Sequence, residues 1–167
     1  TYNGVALLSK LPLANVSKQI PNFVDEQQRV IAGTYQDIRI INVYIPNGSS
    51  IDSDKYIYKL NWLKAFENYI GKELLAFPKM IILGDFNIAP ENEDVHDPIA
   101  WQGQVLFSKP EREHFQALLK MGFVDSFRLF TQPEKSYSWW DYRELAFRRN
   151  RGLRIDHILV SQALQGQ

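Results

Sequence analysis

The sequence predicts an α/β or α+β fold with at least one mixed sheet packed against helices. Residues 29–35 and 38–45 are rich in β-branched and aromatic residues and are separated by a two-residue turn, which predicts an antiparallel hairpin. Residues 54–75 carry apolar side chains three and four positions apart, the spacing of one helical face. The short apolar run over residues 80–83 then predicts a buried strand.

The composition indicates one domain, spanning residues 1–167, with a hydrophobic core. The chain has 167 residues, of which 45% are hydrophobic, and this excludes a mainly disordered protein. Nineteen Lys and Arg balance 19 Asp and Glu, which excludes a generally basic surface but not a local basic patch. The lack of cysteine excludes disulfides, thiolate chemistry and Cys-ligated zinc. No apolar run reaches the roughly 20 residues of a membrane span, so no membrane partner is expected.

The other elements of the first half follow from local signals. Residues 5–8 form a short apolar run and are predicted to be a strand. Turn residues at positions 46–50 end the second strand of the hairpin. Asp54 is the expected N-cap of the helix over 54–75.

In the second half, residues 88–107 are expected to form a long loop. A capping box at 108–111 begins a second helix, and Gly122 is a suitable stop for it. The last elements are expected to be short strands over 123–127 and 136–140, a polar loop over 143–154 and a buried strand over 155–160.

The strongest chemical signal is Gly84-Asp85-Phe86-Asn87, at the end of the apolar run 80–83. Residues two apart in an extended chain point to the same side, so Asp85 and Asn87 are expected to project together. A carboxylate beside an amide suits magnesium and phosphate chemistry. The alternative is an Asx turn in which Asn87 only ends the strand.

Other candidates near strand ends are less specific. Tyr44 could donate a hydrogen bond to a phosphate oxygen, or it could be a half-buried packing residue. Asn47 lies in a Pro-Asn-Gly turn. The four acidic residues within 91–97 lack the ligand spacing of a calcium loop, which favours a solvated loop over a metal site.

An aromatic and basic stretch covers residues 139–154. Trp139 and Trp140 are adjacent, so on a strand they face opposite ways, and an exposed one could line a pocket for an extruded nucleotide. The alternative is that both tryptophans pack in cores. Five arginines against one glutamate give residues 143–154 a local charge of +4. Guanidinium groups match phosphate geometry, which favours nucleic-acid contact over a merely solvated loop.

Asp156 interrupts the apolar run over 155–160. Alternation places it on one face with Ile158 and Val160, and places His157 on the other face. A carboxylate in a buried strand is costly unless it is paired, so Asp156 is expected to have a function or an Arg or His partner. His157 is expected to be an ordinary strand histidine.

Six blocks carry a family resemblance over nearly the whole chain: GVAL from Gly4, NVYIPNG from Asn42, LGDFNIAP from Leu83, GFVDSFR from Gly122, SWWDYR from Ser138 and NRGLRID from Asn150. In this order they resemble exonuclease III-type apurinic/apyrimidinic endonucleases, within the endonuclease/exonuclease/phosphatase superfamily. The strand with GDFN is common to the superfamily. SWWDYR and NRGLRID together are more specific to the DNA-repair branch.

The resemblance implies a DNase I-like four-layer α/β sandwich, with two mixed sheets flanked by helices. It implies a Mg²⁺-dependent phosphodiesterase of base excision repair, with Mn²⁺ as the alternative ion. This enzyme would cut DNA 5′ to an abasic site, or act as a 3′–5′ exonuclease on duplex DNA. Its partner would be double-stranded DNA with abasic sites or 3′ ends. The whole protein is expected to be a monomer in a bacterial-type cytoplasm, acting on the nucleoid.

The resemblance also implies roles for individual residues. Asp85 would orient or deprotonate the attacking water, and Asp85 and Asn87 would be the metal ligands. Asn87 would hold the scissile phosphate, Tyr44 would hydrogen-bond it, and Asn47 would support the same region. Asp156 would orient a histidine.

The DNA-contacting residues implied are Trp139, which would wall the pocket for the extruded sugar, and Arg143, Arg151 and Arg154. The family also has an N-terminal stretch with an Asn and a metal-binding Glu, and a C-terminal Ser-Asp-His block, which this sequence lacks. We therefore expect a central fragment, incomplete at both ends, with weak or no activity by itself. The alternatives are a superfamily phosphatase acting on phosphoesters and a non-catalytic fragment that binds nucleic acid. The stretch 139–154 favours DNA.

Overall fold

A computed structural model describes residues 3–165 of the chain. Within them the strands are β1 (Ala14–Lys18), β2 (Val30–Tyr35), β3 (Ile38–Tyr44), β4 (Met80–Asp85), β5 (Phe123–Asp125), β6 (Trp139–Trp140), β7 (Gly152–Leu153) and β8 (Asp156–Ser161). The α-helices are α1 (Asp54–Ala76), α2 (Pro98–Trp101) and α3 (Lys109–Lys120). None of these helices combines the length and the apolar character that a membrane crossing needs.

The main sheet has six strands in the order β1-β2-β3-β4-β8-β5. The β3–β4 pair is parallel, and the other neighbouring pairs are antiparallel. A second, two-stranded antiparallel sheet is formed by β6 and β7. The predicted α/β class and the hairpin of β2 and β3 are therefore confirmed. Of the two mixed sheets expected, one is present, whereas the second sheet is antiparallel because it consists only of the pair β6 and β7.

One face of the main sheet carries the core. Residues Ile41, Val43 and Ile82 alternate along β3 and β4 and are buried against aromatic side chains of α1 and α3. Trp62 and Phe66 of α1 stack with ring centroids 5.1 Å apart. On the opposite face the side chains are more exposed, and Ile158 is 50% exposed. The helices thus cover one side of the sheet.

The strand predicted near the N-terminus differs from the structure. Residues 5–8 are not a strand, and Leu8 is 98% exposed. Within residues 3–165 they pair with no strand, although the side-chain amide of Asn42 donates to the Ala6 carbonyl. The sequence analysis missed β1, because this edge strand is largely exposed and has no apolar alternation.

The helix ends show which local signals were sufficient. Ser53, not Asp54, is the N-cap of α1, and its Oγ accepts from the Tyr56 N–H at 3.2 Å. The predicted capping box between Ser108 and Glu111 is present at the start of α3. A loop was expected over 88–107, but this region also contains α2 and a 3₁₀ turn.

The last predicted strands are shorter in the structure. The strand expected over 123–127 stops at Asp125, because this carboxylate accepts from the Phe127 N–H and begins a 3₁₀ turn. The strand expected over 136–140 is reduced to two residues. The region 143–154, expected to be a loop, contains β7. This strand pairs with β6, so the end of the region lies beside Trp139 and Trp140.

Candidate active site

Three candidate residues lie in one row across the main sheet. Tyr44 at the end of β3 pairs with Asp85 at the end of β4, and Asp85 pairs with Asp156 at the start of β8. Side chains at paired positions of neighbouring strands point to the same side of a sheet. The register therefore brings a phenol and two carboxylates together at the edge where β3 and β4 end.

The turn after β4 is both an Asx turn and part of the site. The backbone N–H of Asn87 donates to Oδ1 of Asp85 at 2.8 Å, and Nδ2 of Asn87 donates to Oδ2 at 3.2 Å. Asn87 is 4% exposed and has a φ of +50°, in the left-handed region. The Asx turn named as the alternative is therefore present, and the same turn brings the Asn87 side chain to Asp85.

Gly84 allows this turn to lie close to β3. Its φ is +133°, and a Cβ at this position would lie 2.0 Å from the carbonyl oxygen of Val43. Only glycine avoids that clash while adopting this backbone conformation. The requirement places a glycine directly before Asp85.

Asn47 and Asn87 connect the turns after β3 and β4. Nδ2 of Asn47 donates to Oδ1 of Asn87 at 2.9 Å, and Nδ2 of Asn87 donates to the Ile45 carbonyl at 3.0 Å. Oδ1 of Asn47 also accepts from the Ser49 N–H within its own turn. The two predicted residues are in contact, and both hydrogens of the Asn87 amide are already used.

The pKa of Asp85 is raised from 3.8 to about 6. Burial of the carboxylate is the main cause, and the negative charge of Asp156 adds to it. The hydrogen bonds from Asn87 and the positive charge of Lys59 oppose the rise in pKa. A carboxylate with a pKa near neutrality is suited to accept a proton from water.

Lys59 is a site residue that the sequence analysis missed. Its side chain is fully buried beneath the two turns, and its Nζ donates to the carbonyl oxygens of Asn47 at 3.1 Å and Asn87 at 2.6 Å. It also forms an ion pair with Glu111 at 2.5 Å. The signal was present, because Lys59 lies three residues after Tyr56 and four before Leu63, on the apolar stripe of α1.

Arg29 is a second residue that was missed, and it supports Tyr44. The Arg29 guanidinium lies 4.8 Å from the Tyr44 ring centroid and donates to the Tyr44 carbonyl at 2.9 Å. Together with Asn47 and Lys55 these residues line a cavity of about 290 Å³. This positively charged cavity lies on the Tyr44 side of the row.

Asp156 is exposed, which corrects the expectation of a buried carboxylate that needs a partner. Within residues 3–165 its carboxylate has no hydrogen bond or ion pair, and the exposed position makes this inexpensive. Its backbone N–H donates to the Ser138 Oγ at 3.0 Å. His157 faces the other side, as predicted, and is 3% exposed.

Arg154 is buried and bound by two carboxylates, which corrects its assignment as a DNA contact. It is 4% exposed and donates to Oδ1 of Asp94 at 2.6 Å and to Oδ2 of Asp125 at 2.7 Å. Its remaining Nη1 faces Nδ1 of His157 at 3.0 Å. Asp94, expected in a solvated loop, is itself fully buried, and its ion pairs with Arg154 and Arg128 offset the cost of burying its charge.

The contacts of His157 define its protonation state. Arg154 donates to Nδ1, so the proton resides on Nε2, which donates to the Ile88 carbonyl at 2.8 Å. Burial and the charge of Arg154 lower the pKa of His157 to about 3. The histidine is therefore neutral and connects β8 to the segment after Asn87.

The remaining predicted residues border a cavity of about 430 Å³. Trp139, Arg143 and Arg151 line it, together with His96 and Trp101. Trp139 is 37% exposed. Its neighbour Trp140 is half-buried, packs edge-on against Phe147 and donates to Asn150. The two tryptophans thus have different environments, and Trp139 is the one at the cavity.

The donor set suits a hard divalent cation. The described residues contain no ready-made group of three or more His, Cys, Asp or Glu side chains for a metal. Asp85 and Asp156 are opposed, however, and both keep free lone pairs. Magnesium binds through one or two carboxylates together with water and substrate phosphate. Asn87 fits less well than predicted, since it is buried and its Oδ1 keeps only one lone pair beside the hydrogen bond from Asn47.

Known proteins resemble this chain in sequence and, where their structures are solved, in fold. A Bacillus subtilis exodeoxyribonuclease is 38% identical over 168 residues, which cover 99% of this chain and 66% of the relative. A Neisseria 3′ phosphatase bound to a product DNA hairpin matches with a TM-score of 0.90 and 42% identity, over 93% of this chain and 61% of that structure. An Archaeoglobus fulgidus AP endonuclease matches with a TM-score of 0.84 and 33% identity, over 92% and 60%.

The chain therefore spans somewhat less than two thirds of the length of these relatives. The sequence model of the Endonuclease/Exonuclease/phosphatase family matches residues 1–165, which include Tyr44, Asp85 and Asp156. The chain belongs to the Endonuclease/Exonuclease/phosphatase family.

Proposed function

We propose that the whole protein is a DNA-repair nuclease, a hydrolase of phosphodiester bonds in duplex DNA. The observation that carries the proposal is the row of Tyr44, Asp85 and Asp156 across three neighbouring strands. The relatives named exodeoxyribonuclease and AP endonuclease support the same reaction class. The proposed substrates are duplexes with abasic sites or with 3′ ends.

The surfaces beside this row support DNA over a small phosphoester. On one side lies the cavity with Arg29 and Lys55, and a second cavity holds Trp139, Arg143 and Arg151. Arginines bind backbone phosphates, and an exposed tryptophan can pack against an unstacked nucleotide. A phosphatase acting on phospholipids or inositol phosphates would use the same carboxylates but would not need this aromatic and basic cavity.

The chain's own residues define the chemistry. Asp85, with a pKa raised to about 6, would take a proton from the attacking water. The Tyr44 hydroxyl would donate to a phosphate oxygen, and the Asn47–Asn87 contact would keep the two turns at a fixed separation. Asp85 and Asp156 would hold a Mg²⁺ or Mn²⁺ ion, which when bound would neutralise developing negative charge on the phosphate.

The test uses the whole protein and a duplex oligonucleotide with one abasic-site analogue. We expect incision in Mg²⁺, none in chelator, and a loss of about 10³-fold or more in Asp85→Asn. Asp52→Asn is the matched control, since Asp52 is exposed and lies before α1. Equal incision by Asp85→Asn and wild type would contradict the proposal.

A second arm compares the whole protein with residues 1–167 alone. We propose that the shorter chain has weak or no activity, because it spans 66% of the B. subtilis relative. Full turnover by residues 1–167 would show that nothing outside them is needed. DNA binding without incision, and without dependence on Mg²⁺, would favour the alternative of a binding fragment.

A further inference from the structure

The buried ammonium of Lys59 lies at the junction of the two site turns. Its three hydrogens are directed at the Asn47 carbonyl, the Asn87 carbonyl and the Glu111 carboxylate, at 3.1, 2.6 and 2.5 Å. A lysine ammonium has three donors and no acceptor, so its bonding capacity is fully used. The ammonium therefore links α1 to both turns.

Glu111 is the counterion of Lys59, and both of its carboxylate oxygens accept hydrogen bonds from other groups as well. Its Oε1 also accepts from the Leu106 N–H at 3.0 Å, and its Oε2 accepts from the N–H and Oγ of Ser108. The Glu111 side chain is fully buried. The same carboxylate therefore caps α3 and fixes the position of Lys59.

Stability alone is a poor explanation for this ion pair. Two buried charges lose their hydration, and well-packed apolar residues of similar volume are often as stable. An apolar side chain at position 59 could not donate to the carbonyls of Asn47 and Asn87. Lys59 thus contributes contacts to the site that packing cannot replace.

The contact from Lys59 helps to fix the backbone conformation of Asn87. Its φ of +50° lies in the left-handed region, which asparagine adopts more readily than other residues with a side chain, and the surrounding contacts fix this conformation here. The Lys59 ammonium holds the Asn87 carbonyl, and the Asn87 N–H and side chain both bind Asp85. A substitution of Lys59 would therefore displace Asn87, and through Asn87 it would change the position of the Asp85 carboxylate.

We propose that Lys59, with Glu111 as its counterion, is a positioning residue for the reaction. It holds the turns after β3 and β4 together, and it keeps Asn87 in the conformation that orients Asp85. Its side chain is fully buried, so it touches neither substrate nor solvent. The effect on turnover rests on the proposed nuclease function, whereas the effect on Asn87 does not.

The first variant is Lys59→Met in the whole protein, with Lys72→Met as the control on an exposed position of the same helix. We expect kcat on the abasic duplex to fall about 100-fold in Lys59→Met, the loss typical of misplaced catalytic groups. The affinity for that duplex in chelator should change less than about threefold. Wild-type kcat in a folded Lys59→Met protein would overturn the proposal.

The second variant, Lys59→Met/Glu111→Gln, removes both buried charges and so avoids an unpaired one. If the pair only stabilises the fold, the double variant should have wild-type kcat at any temperature at which it is fully folded. If Lys59 positions the turns, kcat should remain about 100-fold low under those conditions. Recovery of kcat together with stability would overturn the proposal, and this comparison remains valid where the single variant unfolds.

A third measurement is independent of activity. We expect the side-chain amide signals of Asn47 and Asn87 in ¹H–¹⁵N spectra to move in the double variant and to stay in place in Lys72→Met. Unchanged amide signals would overturn the positioning role. If the wild-type protein cuts no DNA but these signals move, the nuclease proposal fails and the positioning of Asn87 by Lys59 stands.

Discussion

Asp85 and Asp156 lie directly opposite each other on the antiparallel strands β4 and β8, and they differ in exposure. Asp85 is half-buried at the strand end, whereas Asp156 is exposed. Burial and the neighbouring negative charge together raise the pKa of Asp85. Burial, with a smaller contribution from the opposed charge of Asp156, therefore gives Asp85 a pKa of about 6, while Asp156 lies at the solvent edge.

Substitution of Asp156 should lower the pKa of Asp85. Asp156→Asn removes a like charge, so we expect the pKa of Asp85 to fall below its value of about 6. The measurement is a ¹³C NMR titration of the Asp85 carboxyl in chelator, with Asp52→Asn as the control. An unchanged or higher pKa in Asp156→Asn would show that the two carboxylates do not interact.

Substitution of Asp85 should stabilise the protein at neutral pH. The folded chain keeps the Asp85 proton up to a pKa of about 6 instead of 3.8, so stability falls as pH rises between these values. Asp85→Asn removes this cost, and we expect a gain of about 1–3 kcal/mol at pH 7.5. Urea unfolding at pH 7.5 and pH 4 measures it. A gain that is equally large at pH 4 would contradict this explanation.

Substitution of Arg154 should destabilise the fold without a specific effect on DNA binding. Arg154→Met leaves Asp94 and Asp125 buried without this partner, and breaking such a pair costs about 3–5 kcal/mol. The exposed Arg151→Met is the control and should change stability by about 0.5 kcal/mol or less. Urea unfolding distinguishes the two, and equal losses would show that the buried network contributes little.

The arginines at the Trp139 cavity should instead affect DNA affinity. Arg143→Ala and Arg151→Ala remove exposed cations that line this cavity. Where the removed cation binds a phosphate, we expect weaker duplex binding and a salt dependence shallower by about one unit of log Kd against log salt. Fluorescence anisotropy in chelator measures both quantities. A slope like that of the Lys72→Ala control would place the DNA elsewhere.

The sequence was sufficient to predict those elements whose structure depends on residues close together in the chain. The hairpin of β2 and β3, the helix over 54–76 and the capping box of Ser108 follow from spacing within a few residues. The turn of Asp85 and Asn87 was found in the same way. Its carboxylate and amide are two residues apart, and the preceding apolar run marks a buried strand.

Tertiary structure decided the features that depend on strand order and burial. No local pattern shows that β8 pairs with β4, and this pairing places Asp156 opposite Asp85. Arg154 and Arg143 belong to the same basic stretch, yet one is buried against Asp94 and Asp125 and the other is exposed. Lys59 resembles an ordinary helix lysine until α3 brings Glu111 to it. The chemistry of a charged group depends on its distant neighbours and its exposure, and these exist only once the chain has folded.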